Sequence, residues 1–274
     1  MKLQKMLFLL FALAFALASN PHSLRAQTAT STQTYQQMSQ SERSEFVATQ
    51  TKRIAAEMSG RDYAFTPAFL EDVQQAVNQY TRRIAKDGDK SLGERDLRVV
   101  VERGHAQAPV VMAAFKARNV SPLIGLYLPW VESEYTNITS ANSMGAIGMF
   151  QFLPQTGARF GLTAEDLLDV PKSADAAARY INKSMEQFKD DPMKETLALL
   201  AYNRGEGQTA RDLALLVNDK NKQCSICALT AERNKLDKTF QSESVYYVPR
   251  FFAAAIIGEN PQWFGIQSQS LSAH

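Results

Sequence analysis

The chain has 274 residues, with 30 Lys and Arg against 28 Asp and Glu, and its length allows one or two buried cores. This near-balanced charge argues against nucleic acid as the main partner, because phosphate binding needs clustered positive charge. The only histidines are His22, His105 and His274, and two of them lie in or near the ends of the chain. A Ser-His-Asp triad or a histidine metal site is therefore not expected, and no cofactor is predicted.

The first 40 residues indicate export. Lys2 and Lys5 precede an apolar run from Met6 to Leu17 that ends in small residues, which is typical of a secretory signal peptide over residues 1–18. Cleavage near Ala26 is a second possibility. The run is shorter than the roughly 18 apolar residues of a transmembrane anchor, so a periplasmic or secreted protein without a stable membrane anchor is expected. Residues 19–40 are predicted to form a flexible polar leader.

Helical patterns follow from residue 41 to residue 110. Ser39 and Glu42 match a capping box that opens a helix ending near Gly60. Thr66-Pro67 opens a longer helix, and further helical patterns cover Leu97–Val101 and Pro109–Arg118. The apolar face of the longer helix consists of Phe69, Val73, Val77, Tyr80 and Ile84. We therefore expect a small helical N-terminal region over residues 41–110, ahead of a larger domain at 111–267.

A helix that starts at Ser121-Pro122 carries the first chemically suggestive residue. Its apolar stripe is Ile124, Leu128, Val131 and Tyr135, and Glu132 lies at the border of that stripe. Partial burial would raise the pKa of such a carboxyl and keep it protonated near neutrality, as a general acid requires. An ordinary solvated helix residue is the alternative interpretation.

The segment around Gly145, Gly148 and Gln151 predicts a tight turn where the backbone closely approaches another group. A glutamine amide both donates and accepts hydrogen bonds, which suits sugar hydroxyls and N-acetyl groups. A purely structural turn between helices is the alternative.

The remaining elements also indicate an all-α fold. Pro192–Tyr202, Gln208–Val217 and Tyr247–Ile257 are predicted helices, and no stretch alternates with the period of a strand. Cys224 and Cys227 are the only cysteines and are expected in a loop. In an exported protein a local disulfide is favoured over free thiols, and zinc would lack further ligands.

Four segments, in order, resemble the four motifs of the soluble lytic transglycosylase domain family: 132–133, 145–151, 201–205 and 243–248. Leu128-Pro129 and residues 152–157 make the chain most similar to the membrane-bound lytic transglycosylase D type. The resemblance implies a lysozyme-like, all-α catalytic domain at 111–267. Such enzymes cut the MurNAc-GlcNAc β-1,4 bond of peptidoglycan and leave a 1,6-anhydroMurNAc end.

The same matching implies residue roles. Glu132 would act first as acid and then as base, and Tyr247 would reach it by a hydrogen bond. Gly145, Gly148 and Glu243 would be structural. Asn142 stands where the family usually has serine, with Ser140 and Ser143 beside it, so one of these three would contact MurNAc. The substrate-binding residues implied in this way are Ser133, Asn142, Ser143, Met149, Gln151, Tyr202, Asn203 and Tyr247.

Two alternatives remain open. A goose-type hydrolytic muramidase would share the fold and the acid but would let water attack the sugar. A non-catalytic wall-binding or assembly protein would keep the cleft without turnover. The expected partners are peptidoglycan glycan strands, with possible cell-envelope assembly partners.

Overall fold

Eleven α-helices, joined by short 3-10 turns and loops, build the described part of the computed structural model, residues 33–86 and 88–273. The predicted signal peptide and residues 19–32 of the predicted leader lie outside the described residues. Within the described ranges, a single isolated bridge between Ile147 and Phe152 is the only β-type pairing, so the all-α prediction is confirmed. The helices are α1 Gln40–Ser59, α2 Pro67–Thr81, α3 Leu97–Ala117, α4 Pro122–Ser133, α5 Pro154–Ala158, α6 Val170–Gln187, α7 Lys194–Arg204, α8 Glu206–Leu216, α9 Ser225–Ala231, α10 Lys238–Ser242 and α11 Tyr247–Glu259.

The ends of α1 follow from its capping residues. The Ser39 hydroxyl accepts the Glu42 N–H, and the Glu42 carboxylate accepts the Ser39 N–H at 2.7 Å, which confirms the capping box. At the other end Gly60 takes the left-handed conformation, with a φ of 71°. Helix α2 begins as predicted at Thr66-Pro67 but ends at Thr81, so Ile84 lies beyond it.

Helix α3 corrects the prediction of two separate helices. It runs through Pro109 without a break, although proline removes one backbone N–H from the helical ladder. Its buried residues form one continuous stripe on both sides of the proline: Leu97, Val100, Val101, Gly104, Ala108, Val111 and Phe115. Burial of this stripe outweighs the local cost of the proline.

Helix α4 is the centre of the fold rather than an amphipathic surface helix. Every residue from Leu123 to Val131 is buried, because α1, α3, α6 and α11 pack around it. Gly125 permits the close approach of α3, since a Cβ atom there would lie 2.5 Å from Cγ of Phe115. Glu132 is the first partly exposed residue after this buried run.

The final long helix, α11, connects the N-terminal helices to the rest of the fold. It packs against α1, α2, α4 and α7. The chain from Gln33 onward forms one compact unit, in which α1 packs against α4 and α2 packs against α11. No helix in the described part of the chain is long and apolar enough to cross a bilayer.

Candidate active site

An open cleft of 640 Å³ lies where α4 ends. The loop that follows α4, the α7–α8 corner and the start of α11 form its walls. It brings together seven residues that the sequence singled out: Glu132, Asn142, Gln151, Tyr202, Asn203, Glu243 and Tyr247.

Glu132 lies in the last turn of α4 with its side chain half-buried in this cleft. Burial raises its pKa from an ordinary 4.5 to about 7, and the nearby charge of Glu243 acts in the same direction. A hydrogen bond from the hydroxyl of Tyr247 and the positive charge of Arg250 oppose this rise. Near neutral pH the carboxyl therefore exists in both protonation states, as a group that gives and takes a proton must.

Two tyrosines flank the acid, Tyr247 buried and Tyr202 partly buried. Tyr247, at the start of α11, donates its hydroxyl proton to Oε1 of Glu132, and burial raises the pKa of Tyr247 well above its usual value. Tyr202, on α7, donates to the carbonyl of Phe150 at 2.8 Å, and burial raises its pKa in the same way. Both hydroxyls thus remain neutral donors, one serving the acid and the other holding the loop beside it.

The loop from 142 to 152 is held by amide side chains. Oδ1 of Asn142 accepts the N–H groups of Met144 and Ala146, at 2.9 and 3.0 Å, which closes the turn. Nε2 of Gln151 donates to the carbonyl of Gly148 at 2.8 Å, and Gln151 itself has a positive φ of 49°. These contacts fix both amides at the edge of the cleft.

The two glycines of this loop have different environments. Gly148 is buried with a φ of 78°, and a Cβ atom there would lie 2.3 Å from the carbonyl oxygen of Leu167. Gly145 has a φ of 87° but open space around it. Close packing therefore requires glycine at 148, whereas at 145 only the backbone conformation favours it.

Three expected contact residues lie elsewhere. Met149 is 0% exposed and belongs to the core, so its side chain does not line the cleft. The Ser133 hydroxyl donates to the Met149 carbonyl at 2.7 Å and is occupied in joining α4 to the loop. Ser143 is exposed but does not line the cleft.

The cleft also contains carboxylates besides Glu132. Glu206 is 12% exposed and pairs with Arg159 at 3.1 Å and Lys183 at 3.2 Å. Glu243 is exposed on the cleft wall and accepts a hydrogen bond from Nδ2 of Asn203 at 3.4 Å. The structural role that the resemblance implied for Glu243 stays a prediction.

Several arginines were not anticipated from the sequence. Arg204 is 4% exposed and pairs with Asp212 and Asp237, each at 2.7 Å, which fixes the corner between α7 and α8. Arg250 lines the cleft, and its Nη2 donates to the carbonyl of Val131 at 3.1 Å. Arg250 lies three residues after Tyr247 on one helix face, a spacing that could have indicated it.

Cys224 and Cys227 are joined by a disulfide, with Cα atoms 5.1 Å apart. They lie in a 3-10 turn and the first turn of α9 rather than in the expected loop. The Cys227 sulfur accepts the N–H of Thr66, the residue that caps α2. The bridge therefore lies against the N-terminal helices and not in the cleft.

Residues 109–224 match the family model of the transglycosylase SLT domain, a lysozyme-like all-α domain. This match supports the lytic transglycosylase family for the segment that contains Glu132, Gln151 and Tyr202, and it implies peptidoglycan as the substrate. No curated protein matches the chain.

Proposed function

We propose that this protein is a peptidoglycan lytic transglycosylase of the membrane-bound D type, exported to the periplasm or beyond. It would cut the MurNAc-GlcNAc β-1,4 bond. The observation that carries the proposal is the environment of Glu132. Its carboxyl is half-buried in an open cleft and has a pKa of about 7. The N-terminal sequence pattern supports export.

The proposed reaction uses this carboxyl twice. Protonated Glu132 gives its proton to the glycosidic oxygen as the bond from C1 of MurNAc to that oxygen breaks. The resulting carboxylate then takes the proton of the C6 hydroxyl of the same MurNAc, and O6 bonds to C1. Glu132 ends protonated as it began, no water is consumed, and the product carries a 1,6-anhydro ring.

The amides of the cleft are suited to hold the sugars. Asn142, Gln151 and Asn203 all line it. Within the described part of the chain, buried Oδ1 of Asn203 has no hydrogen-bond partner. A substrate hydroxyl or N-acetyl N–H would satisfy it, since buried polar atoms are otherwise costly. Bound sugar would also exclude water from C1.

A hydrolytic muramidase is the second candidate, and Glu243 is the observation that favours it. The exposed carboxylate of Glu243 lines the same cleft as Glu132, and its negative charge raises the pKa of Glu132. Inverting glycosidases place a second carboxylate about 6.5–9.5 Å from the acid so that a water fits between them. In that reaction Glu243 would activate the water.

The test compares Glu132→Gln with Glu45→Gln, an exposed glutamate on α1. Glutamine keeps the shape of Glu132 but cannot transfer a proton, so release of muropeptides from purified sacculi should fall at least about 100-fold. The Glu45 variant should match the parent protein. An active Glu132→Gln variant would contradict the proposal, and a parent protein that binds sacculi without cutting them would indicate the non-catalytic alternative.

A further inference from the structure

Three arginines from outside the family-matched segment bind the C-terminal end of α4, which carries Glu132. Arg83 follows α2, Arg103 lies on α3 and Arg250 lies on α11. Helix α4 ends in two consecutive non-glycine residues with positive φ, Glu134 at 53° and Tyr135 at 61°. Such backbone persists only where surrounding contacts hold it.

Arg250 binds the carbonyl next to the acid. The Glu134 N–H bonds to Trp130, and the Tyr135 N–H bonds to Pro129. Neither therefore reaches the carbonyl of Val131, which accepts Nη2 of Arg250 at 3.1 Å. A cation is favourable at this end of a helix, where unpaired carbonyls concentrate negative charge.

The other two arginines fix the turn after the acid. Both Nη atoms of Arg83 bind the carboxylate of Glu134, with Nη2 at 2.7 Å from Oε2. Nε of Arg103 donates to the Glu134 carbonyl at 3.0 Å. Because Glu134 is held in this way, it faces a separate cavity of 290 Å³ behind α4 rather than the cleft.

Arg250 lines both the cleft and this rear cavity, where buried Tyr80 of α2 also lies. Its charge acts on Tyr80 on one side and on Glu132 on the other. The arginine thus connects the N-terminal helices to the acid.

We propose that Arg250 is a positioning residue for Glu132: it holds the Val131 carbonyl and places its positive charge beside the carboxyl that must alternately hold and release a proton. The inference rests on the proposed function of Glu132. Without Arg250, both the orientation of the carboxyl and its readiness to lose the proton would change.

The groups that face Glu132 determine the expected direction. Tyr247 and Arg250 from α11 lower its pKa, and Glu243, just before α11, raises it. The charge of Glu132 in turn raises the pKa of Tyr202 on α7. Burial has the largest effect on this pKa and raises it, whereas the charge of Arg250 lowers it. Removal of Arg250 therefore leaves the effect of burial less opposed. The pKa of Glu132 should then rise further.

The experiment titrates Glu132 by 13C NMR in protein labelled at glutamate carboxyls, with the signal assigned by its loss in Glu132→Gln. In Arg250→Gln the pKa should rise by at least about half a unit, whereas Arg250→Lys, which keeps the charge, should stay near the parent value. Arg83→Gln is the matched control. It removes an arginine from the same helix end, but Arg83 does not face the Glu132 carboxyl, so that pKa should not move.

Turnover provides the second readout. Arg250→Gln should lower kcat about tenfold or more with little change in KM, because the sugar contacts remain. A Glu132 pKa in Arg250→Gln equal to that of the parent would overturn the inference. Arg250→Met, which keeps the aliphatic stem, replaces the glutamine variant should that one not fold. The titration needs no turnover, so an inactive parent protein would refute the proposed function while the titration still decides on Arg250.

Discussion

The hydroxyl of Tyr247 donates a hydrogen bond to Oε1 of Glu132, although 115 positions separate the two residues in the chain. The bond joins the last turn of α4 to the first turn of α11. It supplies a neutral donor to the carboxylate form of the acid and so opposes the effect of burial on its pKa.

Removal of this donor should shift the pH profile. In Tyr247→Phe the carboxylate of Glu132 loses a hydrogen bond, so its pKa should rise above about 7. The alkaline limb of activity should therefore move to higher pH, because the acid stays protonated further into the alkaline range. Tyr246→Phe is the control, because Tyr246 is exposed and adjacent. An alkaline limb that does not move in Tyr247→Phe would show that the bond does not tune the acid.

The raised pKa of Glu132 also predicts how stability depends on pH. The folded protein binds this proton more tightly than the unfolded chain, whose pKa is near 4.5. Folding stability should therefore fall as pH rises from 4.5 through 7, by up to about 3 kcal/mol. Glu132→Gln has no carboxyl to ionise, so it lacks this loss and should be more stable than the parent at pH 8. At pH 4, where the parent carboxyl is protonated, the stability advantage of the variant should be smaller by this amount. Urea unfolding at the two pH values measures the difference in the free energy of unfolding between variant and parent. A difference that does not change with pH would contradict the burial of the carboxyl.

Gly148 and Gly145 offer a matched pair of substitutions. Gly148→Ala combines a positive φ with a Cβ 2.3 Å from the Leu167 carbonyl oxygen, and should cost about 2–4 kcal/mol of stability. Gly145→Ala carries only the conformational cost of about 1 kcal/mol, because the space is open. Thermal unfolding of both variants is the measurement, and equal destabilisation would show that the contact with Leu167 is unimportant.

The disulfide should be present in the exported protein and should stabilise it only modestly. The bridge between Cys224 and Cys227 closes a very short loop, so its entropic contribution should not exceed about 2 kcal/mol. Thiol labelling under denaturing conditions should modify neither cysteine until a reductant is added. Full labelling without reduction would contradict the bridge.

Helix ends were the most predictable features of the fold. Ser39, Glu42 and Gly60 act through their immediate neighbours, so the sequence alone locates both ends of α1. The same signals were present for α6, which we did not predict: Asp169 caps it and Pro171 follows in the first turn. The prediction of a helix boundary at Pro109 was wrong. Proline does disfavour a helix interior, but the burial of the apolar residues of α3 outweighs this local cost.

The candidate site was predictable only where a family motif marked it. Glu132 and Tyr247 meet through tertiary packing of α4 on α11, which helical periodicity cannot reveal. The burial of Met149 depends on the turn at Gly148, whose partner Leu167 lies 19 residues away. The role of Arg250 depends on the unusual backbone after Glu132, and nothing in the residue types predicts that conformation.

The mass of the reducing-end muropeptides that the purified protein releases from sacculi tests the central claim most directly. If the C6 hydroxyl of MurNAc replaces water as the nucleophile, each product will lack one water relative to a lysozyme product and will resist borohydride reduction. Products that carry the full mass of water and can be reduced would contradict the transglycosylase assignment and transfer it to the hydrolase, with Glu243 as the base that activates water.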